Sequence, residues 1–296
     1  MKQNAYRKRR KTADGQTEQW TAQAAPGAVI GRNAVRELLK SGRSVDKIFV
    51  QRGEREGSIT ELVAKALDRR IPVIESERQK LDSLSGGAVH QGIVAMAAQK
   101  EYVDLDALFE IAAQRNEPPF FVIAENIADP HNLGAILRSC EAQGVHGLII
   151  PKRSSCGMTP TVTKASAGAI EHVAVARVGG IAAAVEELKK RGVFVYAAET
   201  GGTDVFEQDF SGPVAIVLGS EGEGISRLVR ERSDFVVSIP MYGKVNSLNV
   251  SAAAAIVISL ARRARDEELR LEAEPLNSAL AQKIARGKIY VVVCSH

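Results

Sequence analysis

Residues that could bind a phosphate or polarise a hydroxyl group follow an apolar run, in the segment ENIADPHNLGAILR that ends at Arg138. Asp129-Pro130 predicts a break in the chain, and Asn132 stands where a helix N-cap is expected. Because Gly134 and Arg138 are four residues apart, the guanidinium is expected to lie over the bare surface of Gly134, beside free N–H groups. That arrangement suits a phosphate or a polarised hydroxyl. Taken alone, the segment is better explained as a capped helix with a surface arginine.

A second candidate segment, LGSEGEG at residues 218–224, also follows an apolar run. Its three glycines permit a tight turn and a close approach of the backbone to a ligand. Glu221 and Glu223 would repel an anion, and no lysine follows as it does in a phosphate-binding loop. A cationic ligand such as a sulfonium therefore fits better than a phosphate. A glycine-rich turn into a helix at Ser226 is the alternative.

The third candidate segment, IPMYGKVNSLNVSAAAA at residues 239–255, places polar groups before an alanine-rich helix. Pro240 ends a strand, and Ser247 is predicted to cap the last helix. Ser247 and Asn249 would supply a hydroxyl and an amide at the edge of a sheet. The alanine run allows close packing of other backbone, although helix propensity alone also explains it. No GxGxxG motif follows a strand, so the usual dinucleotide-binding fold is poorly supported.

The elements that must position these segments alternate between strand and helix from residue 119 onward. The predicted strands are Phe120–Ala124, Gly147–Ile150, Val173–Val178, Val193–Ala198, Val214–Leu218 and Phe235–Ile239. The predicted helices are Asn132–Gln143, Ile181–Arg191 and Leu248–Arg263. Continuous apolar strands with intervening helices indicate an α/β fold with a parallel sheet covered on both faces. Ligands of such sheets bind outside the carboxyl ends of the strands, where the three segments lie.

The rest of the chain divides by composition. We expect a disordered basic tail at 1–28, a small α/β domain at 29–100, a linker with a short helix at 101–118, the parallel-sheet domain at 119–264, and a tail of unknown role at 265–296.

Residues 1–100 hold 19 Lys and Arg against 11 Asp and Glu, a net charge of +8, whereas the rest of the chain has a net charge of −4. A polyanion would therefore meet the N-terminal third first, although a solvated basic face is the alternative. Arg32, Asn33 and Arg52 are candidate contacts to such a polyanion, for example RNA.

Composition also narrows the classes of function. Aromatic residues make up only 5% of the chain, which disfavours a base-stacking platform. The three cysteines form no CxxC pair, and no Cys or His stands at zinc-ligand spacing, so we expect no metal site. We find no apolar run long enough for a bilayer and no secretory signal, so we expect no membrane partner and a cytoplasmic location.

The three segments together resemble the signature motifs of the SpoU family of RNA methyltransferases, within the SPOUT superfamily. The first matches through Asn132-x-Gly134-x-x-x-Arg138 and the second through Leu218-Gly219-x-Glu221-Gly222. The third matches through Ile239-Pro240-Met241 and Ser247-Leu248-Asn249. The N-terminal part, from Ile30-Gly31-Arg32-Asn33 to His90-Gln91-Gly92, is similar to the L30e-like substrate-binding domain of some members. The resemblance covers roughly residues 29–263.

The resemblance implies a C-terminal trefoil knot, S-adenosylmethionine as cofactor, a homodimer and RNA as substrate. It implies transfer of a methyl group to a ribose 2'-hydroxyl, with a guanosine of large-subunit ribosomal RNA as the expected target. Alternatives are a tRNA target and a non-catalytic RNA-binding protein. By position, the implied cofactor contacts are Thr200, Gly219, Ile239, Met241, Ser247 and Leu248. The implied catalytic residues are Asn132, Arg138, Glu221, Ser247 and Asn249. Arg138 would contact a phosphate, and Glu221 would orient Arg138 or accept the proton, because a guanidinium keeps its own.

Overall fold

The computed structural model describes residues 24–53 and 57–285, with side chains described as far as Glu267, and it begins with a small α/β domain. The strands of this N-terminal domain are β1 (Ala28–Ile30), β2 (Val45–Gln51), β3 (Val73–Ser76) and β4 (Ile93–Ala97). Its helices are α1 (Arg32–Ser41), α2 (Ser58–Asp68) and α3 (Arg78–Ser85). The sheet has the order β1-β4-β2-β3, in which only β2 and β3 pair in parallel. The predicted basic tail falls almost entirely outside the described residues.

A parallel six-stranded sheet forms the C-terminal domain, in the order β10-β8-β9-β5-β6-β7. Its strands are β5 (Phe120–Ala124), β6 (Gly147–Pro151), β7 (Ala174–Val178), β8 (Phe194–Asp204), β9 (Val214–Leu218) and β10 (Phe235–Ser238). Its helices are α4 (Leu105–Gln114), α5 (Pro130–Ala142), α6 (Pro160–Ala165), α7 (Ile181–Lys190), α8 (Arg227–Arg232) and α9 (Val250–Ala285). The predicted parallel α/β sheet is confirmed. The trefoil knot stays a prediction.

Helices cover both faces of this sheet because its strands are apolar on both sides. Phe120 and Val122 belong to a core shared with α5 and α9, whereas Phe121 and Ile123 face the core shared with α4 and α7. Every residue of β5, β6 and β9 is buried, which explains the continuous apolar runs in the sequence. Within residues 24–53 and 57–285, no helix combines the length and apolarity needed to cross a membrane.

Two segments outside the predicted domain cores are packed into the C-terminal domain. In the predicted linker, Val103 pairs with Ala176 as an isolated bridge, and α4 buries Leu108 against the backbone of Gly147. Helix α9 continues well past residue 264, the predicted end of the domain. The Arg265 side chain, 1% exposed, donates to backbone carbonyls that include those of Pro118 and Gly212. The packed part of the chain therefore begins before residue 119 and ends after residue 264.

The two domains are in contact through α1 and the residues around the 3-10 turn Ala169–Glu171. Arg43 pairs with Glu171 at 3.2 Å, and Glu37 accepts from His172 at 2.9 Å. Lys100 donates to the carbonyl of Val173 at 2.9 Å, and burial lowers the pKa of Lys100 to about 8. Strand β1 also contacts α6. The N-terminal domain is thus docked on the part of the C-terminal domain that follows β6.

We expect His146 to make the fold sensitive to acid. Its ring is buried, its Nδ1 accepts from the N–H of Phe120 at 3.0 Å, and burial followed by the charge of Arg115 lowers its pKa to about 4. Since the unfolded chain binds this proton near pH 6.5, the free energy of unfolding should fall between about pH 6.5 and pH 4, by at most about 3 kcal/mol. Urea denaturation of the wild type and His146→Gln at several pH values tests this. An equally steep decline in His146→Gln would contradict it.

Candidate functional site

A cavity of about 530 Å³ lies at the carboxyl ends of β9 and β10, beside residues 198–200 of β8. Its volume is in the range of small-molecule sites, roughly 300–1,000 Å³. All six residues predicted to contact the cofactor line it, namely Thr200, Gly219, Ile239, Met241, Ser247 and Leu248. Glu221 and Asn249, two of the predicted catalytic residues, line it as well. The structure therefore brings the second and third candidate segments to one cavity.

The glycine-rich segment between β9 and α8 folds back on itself in a narrow turn. The N–H of Ser220 donates to the carbonyl of Gly224 at 3.1 Å, and the N–H of Gly224 donates to the carbonyl of Ser220 at 3.0 Å. A Cβ atom on Gly219 would lie 2.2 Å from the carbonyl carbon of Gly224. Gly219 is therefore required for this close approach, and the turn carries Glu221 next to its tip.

Glu125, which sequence reasoning missed, holds both ends of this turn. Its N–H donates to the carbonyl of Leu218 at 2.9 Å, where the turn begins. Glu125 is only 5% exposed. Its carboxylate accepts hydrogen bonds from the N–H of Ser226 at 2.9 Å and from the Ser226 hydroxyl at 2.7 Å, where the turn ends. The sequence does show a carboxylate directly after a fully apolar strand, and this could have indicated a structural role for Glu125, because a buried charge requires partners. The partner lies 101 residues away and could not be read from spacing.

Three polar side chains meet at the edge of the cavity. The amide of Asn132 donates to the Glu221 carboxylate at 3.1 Å, and the amide of Asn249 donates to the same oxygen at 2.5 Å. The Asn249 amide also donates to the side-chain carbonyl of Asn132 at 3.0 Å. Asn132 is buried, whereas Glu221 and Asn249 are exposed. Residues from α5, the glycine-rich turn and the start of α9 thus form one hydrogen-bonded cluster, which leaves carboxylate oxygen accessible to a substrate.

The helix caps that position this cluster differ from the predicted ones. Asp129, not Asn132, is the N-cap of α5 and accepts from the N–H of His131 at 2.9 Å. Asn249, not Ser247, caps α9 by accepting from the N–H of Ser251 at 2.9 Å. Asn132 lies inside the first turn of α5, so its side chain is free of the capping role and points to Glu221. Ser247 lies at the cavity, two residues before the cap.

Arg138 is the predicted catalytic residue that neither lines the cavity nor contacts this cluster among the described residues. The prediction that it covers Gly134 is wrong, because the backbone of Ala165 and Ser166 occupies that surface: a Cβ atom on Gly134 would lie 2.4 Å from the Cβ of Ala165. Arg138 is exposed on α5 and is absent from the cavity lining. The small residue at position 134 serves packing between α5 and α6, not a guanidinium.

The candidate RNA contacts of the N-terminal domain already have partners within the protein. Arg32 donates from Nε to the carbonyl of Gln91 at 3.1 Å. Asn33 accepts from Arg36 at 3.0 Å, and Arg52 pairs with Glu77 at 2.8 Å in an exposed ion pair. None of the three lines the cavity. Binding of RNA at these positions stays a prediction.

The cavity is acidic although the whole chain is basic. Glu199, Glu221 and Glu223 line it, and its lining contains no Lys, Arg or His. Arg230 pairs with Glu199 at 3.3 Å, so part of this negative charge is compensated. A ligand with a positive centre fits this lining, and backbone groups of the glycine-rich turn can contact it closely. Within the described part of the chain, no group of His, Cys, Asp and Glu could hold a metal ion.

Comparison with protein families matches both domains. Residues 119–259 match the SpoU rRNA Methylase family, and residues 28–103 match the family described as RNA 2'-O ribose methyltransferase substrate binding. The two matched ranges coincide closely with the parallel-sheet domain and the N-terminal domain. They include every candidate catalytic, cofactor-binding and RNA-binding residue named above.

Individual relatives extend over most of the chain. A Bacillus subtilis protein of the TrmH family of tRNA/rRNA methyltransferases, YacO, is 44% identical over 80% of this chain and 96% of its own length. A Staphylococcus haemolyticus member is 43% identical over 81% of this chain and 96% of its own length. Among solved structures, the SpoU methyltransferase AviRb from Streptomyces viridochromogenes, in complex with AdoMet, matches with a TM-score of 0.68 and 25% identity. That match covers 80% of this chain and 89% of AviRb.

Proposed function

Because the chain belongs to the SpoU (TrmH) family of RNA methyltransferases, we propose that it uses S-adenosylmethionine to methylate the 2'-hydroxyl of a ribose in RNA. We propose a guanosine of large-subunit ribosomal RNA as the target. The observation that carries the proposal is the Asn132–Glu221–Asn249 cluster at the edge of an acidic cavity. A carboxylate there can take a proton from a hydroxyl that faces the cavity.

The charge and the lining of the cavity support the binding of this cofactor. S-adenosylmethionine supplies a methyl group on a positively charged sulfur. The carboxylates of Glu199, Glu221 and Glu223 favour a cation at this position. Because Gly219 has no side chain, its backbone can approach Gly224 closely, and the backbone of the turn stays unobstructed. Thr200, Gly219, Ile239, Met241, Ser247 and Leu248 are the proposed cofactor contacts.

The polar cluster supplies the groups for the transfer step. Glu221 accepts the proton of the 2'-hydroxyl, while the amides of Asn132 and Asn249 hold its carboxylate in place. Ser247 and Asn249 position the ribose and the cofactor. Arg138, exposed on α5 outside the cavity, contacts the neighbouring phosphate of the RNA. The cofactor would therefore bind in the acidic cavity, and the RNA backbone would bind on the surface outside it.

We also propose that the protein is a homodimer and acts in the cytoplasm. Large apolar side chains beside the cavity support the dimer: Tyr242 is 96% exposed and Val245 is 69% exposed. A second copy that covers this surface would remove apolar area from water. Sedimentation of the wild-type protein tests the dimer.

Methyl transfer can be tested on purified RNA classes. Calorimetry with S-adenosylmethionine should show binding, and a radiolabelled methyl group should appear on a ribose of large-subunit ribosomal RNA. Transfer to tRNA is the second candidate, since the relatives are described as tRNA/rRNA methyltransferases. Mapping ribose methylation in cells with and without the protein identifies the nucleotide. Absence of cofactor binding, or methylation of a base instead of a ribose, would overturn the proposal.

A further inference from the structure

The loop between β6 and α6, residues 152–159, lies between the N-terminal domain and the polar cluster. It ends at α6, the helix that touches β1 of the N-terminal domain. On its other side it contacts the loop that leads into α5, because the Ser155 hydroxyl and the Cys156 N–H both donate to the carbonyl of Ile127, at 3.1 Å and 3.0 Å. An RNA strand that reaches from the N-terminal domain to Asn132 can therefore follow this loop.

Several contacts hold this loop in one conformation. The N–H of Lys152 donates to the carbonyl of Val178 at 2.8 Å, and Arg177 donates to the carbonyl of Lys152 at 2.8 Å. The N–H of Met158 donates to the Tyr102 hydroxyl at 2.9 Å. Ser154 has a φ of 63°, a left-handed conformation that is uncommon for residues other than glycine. Such strain persists where the surroundings determine the backbone, and it concentrates at functional sites.

The side chains of Lys152 and Arg153 are exposed at the start of this loop. Neither forms an ion pair or a side-chain hydrogen bond with the residues that the structure describes. Other exposed cations of the described residues do have carboxylate partners, as Arg52, Arg227 and Arg263 do. Two unpaired cations on a rigid loop are suited to the phosphates of a nucleic acid, because no internal ion pair must be broken on binding.

We infer that Lys152 and Arg153 form a phosphate-binding surface that guides the RNA backbone from the N-terminal domain to the cavity. The inference rests on the proposed function for the identity of the polyanion. The β6–α6 loop lies at the carboxyl edge of the sheet, next to the loop that leads from β5 into α5. The cavity lining is acidic and the loop is basic, so phosphates are kept outside the cavity and only the target ribose approaches Glu221. The RNA would cross the carboxyl edge of the sheet from β6 towards β9.

The test compares single-charge variants in the full-length protein. Binding of a labelled large-subunit ribosomal RNA transcript, and separately of labelled bulk tRNA, is measured over a series of salt concentrations. Lys152→Ala and Arg153→Ala should each weaken binding about five- to tenfold at low salt and reduce the slope of log affinity against log salt by about 1. Lys152→Arg and Arg153→Lys should keep the wild-type slope.

Lys190→Ala is the matched control. Lys190 is an exposed cation without a partner among the described residues, and it ends α7 before β8, at the opposite edge of the sheet. It should leave RNA affinity and salt slope unchanged, and all variants should bind S-adenosylmethionine and unfold thermally as the wild type does. Wild-type RNA affinity and slope in both alanine variants would overturn the inference. Because binding is measured without methyl transfer, failure of the proposed reaction would be seen separately, in the wild-type activity assay.

Discussion

Glu221→Gln is expected to lower the single-turnover rate of methyl transfer by about 10²- to 10⁴-fold, the usual contribution of a general base. Glutamine keeps the shape of the side chain and can still accept from Asn132 and Asn249, so the cluster should persist. The affinity for S-adenosylmethionine should change less than the rate. Rapid-quench measurements at saturating cofactor and RNA, over a range of pH, separate the chemical step from binding.

Two further variants distinguish the loss of a carboxylate base from a loss of cavity charge or of RNA binding. Glu223→Gln removes the same charge from the same turn but no contact to the asparagines, so its effect should appear in cofactor affinity and not in the saturated rate. Arg138→Lys keeps a positive charge outside the cavity, and its effect should appear mainly in RNA binding. If Glu221→Gln retained the full rate at every pH while Arg138→Lys abolished it, the carboxylate base would be excluded.

The parallel sheet could be predicted because its signal is local. The strands of the core are continuous apolar runs, helical patterns separate several of them, and the predicted bounds of β5 and β9 agree with the structure. The position of the site followed from the rule that ligands bind at the carboxyl ends of parallel strands. The three motifs therefore indicated one cavity before any contact between them was known.

Long-range pairing could not be predicted in the same way. Glu125 and Ser226 are 101 residues apart, and no spacing indicates that the carboxylate holds the glycine-rich turn. Gly134 was interpreted as a bare surface for Arg138, and only the structure shows that Ala165 fills the space. Sequence identified which residues are small or charged, but their partners depend on the packing of distant elements.

The caps show a second limit, which is competition between neighbouring polar residues. Asp129 and Asn132 are both good N-cap residues, as are Ser247 and Asn249. In the first pair, Pro130 decides the outcome, because proline is favoured in the first helical position and so places the cap at Asp129. The error has a functional consequence: a capping Asn132 would be occupied by backbone N–H groups, whereas the observed Asn132 is available to Glu221.

Gly219→Ala is expected to weaken the binding of S-adenosylmethionine by at least about tenfold. The added methyl group would lie 2.2 Å from the carbonyl carbon of Gly224 and 2.4 Å from the backbone nitrogen of Ile225, and backbone cannot move aside as a flexible side chain can. The turn must therefore open, which displaces the cavity wall and carries Glu221 away from its two amides. Calorimetry of cofactor binding measures the first effect, and the single-turnover rate measures the second.

Gly222→Ala gives the matched comparison, because an added Cβ atom there meets nothing within 4 Å although the residue belongs to the same turn. Both substitutions lower the conformational freedom of the unfolded chain to the same extent, so a difference between them reports on the folded turn alone. Cofactor affinity in Gly222→Ala should stay within about threefold of the wild type, the range expected of a change below 1 kcal/mol. Equal affinities in the two variants would mean that cofactor binding does not depend on the close contact between Gly219 and Gly224.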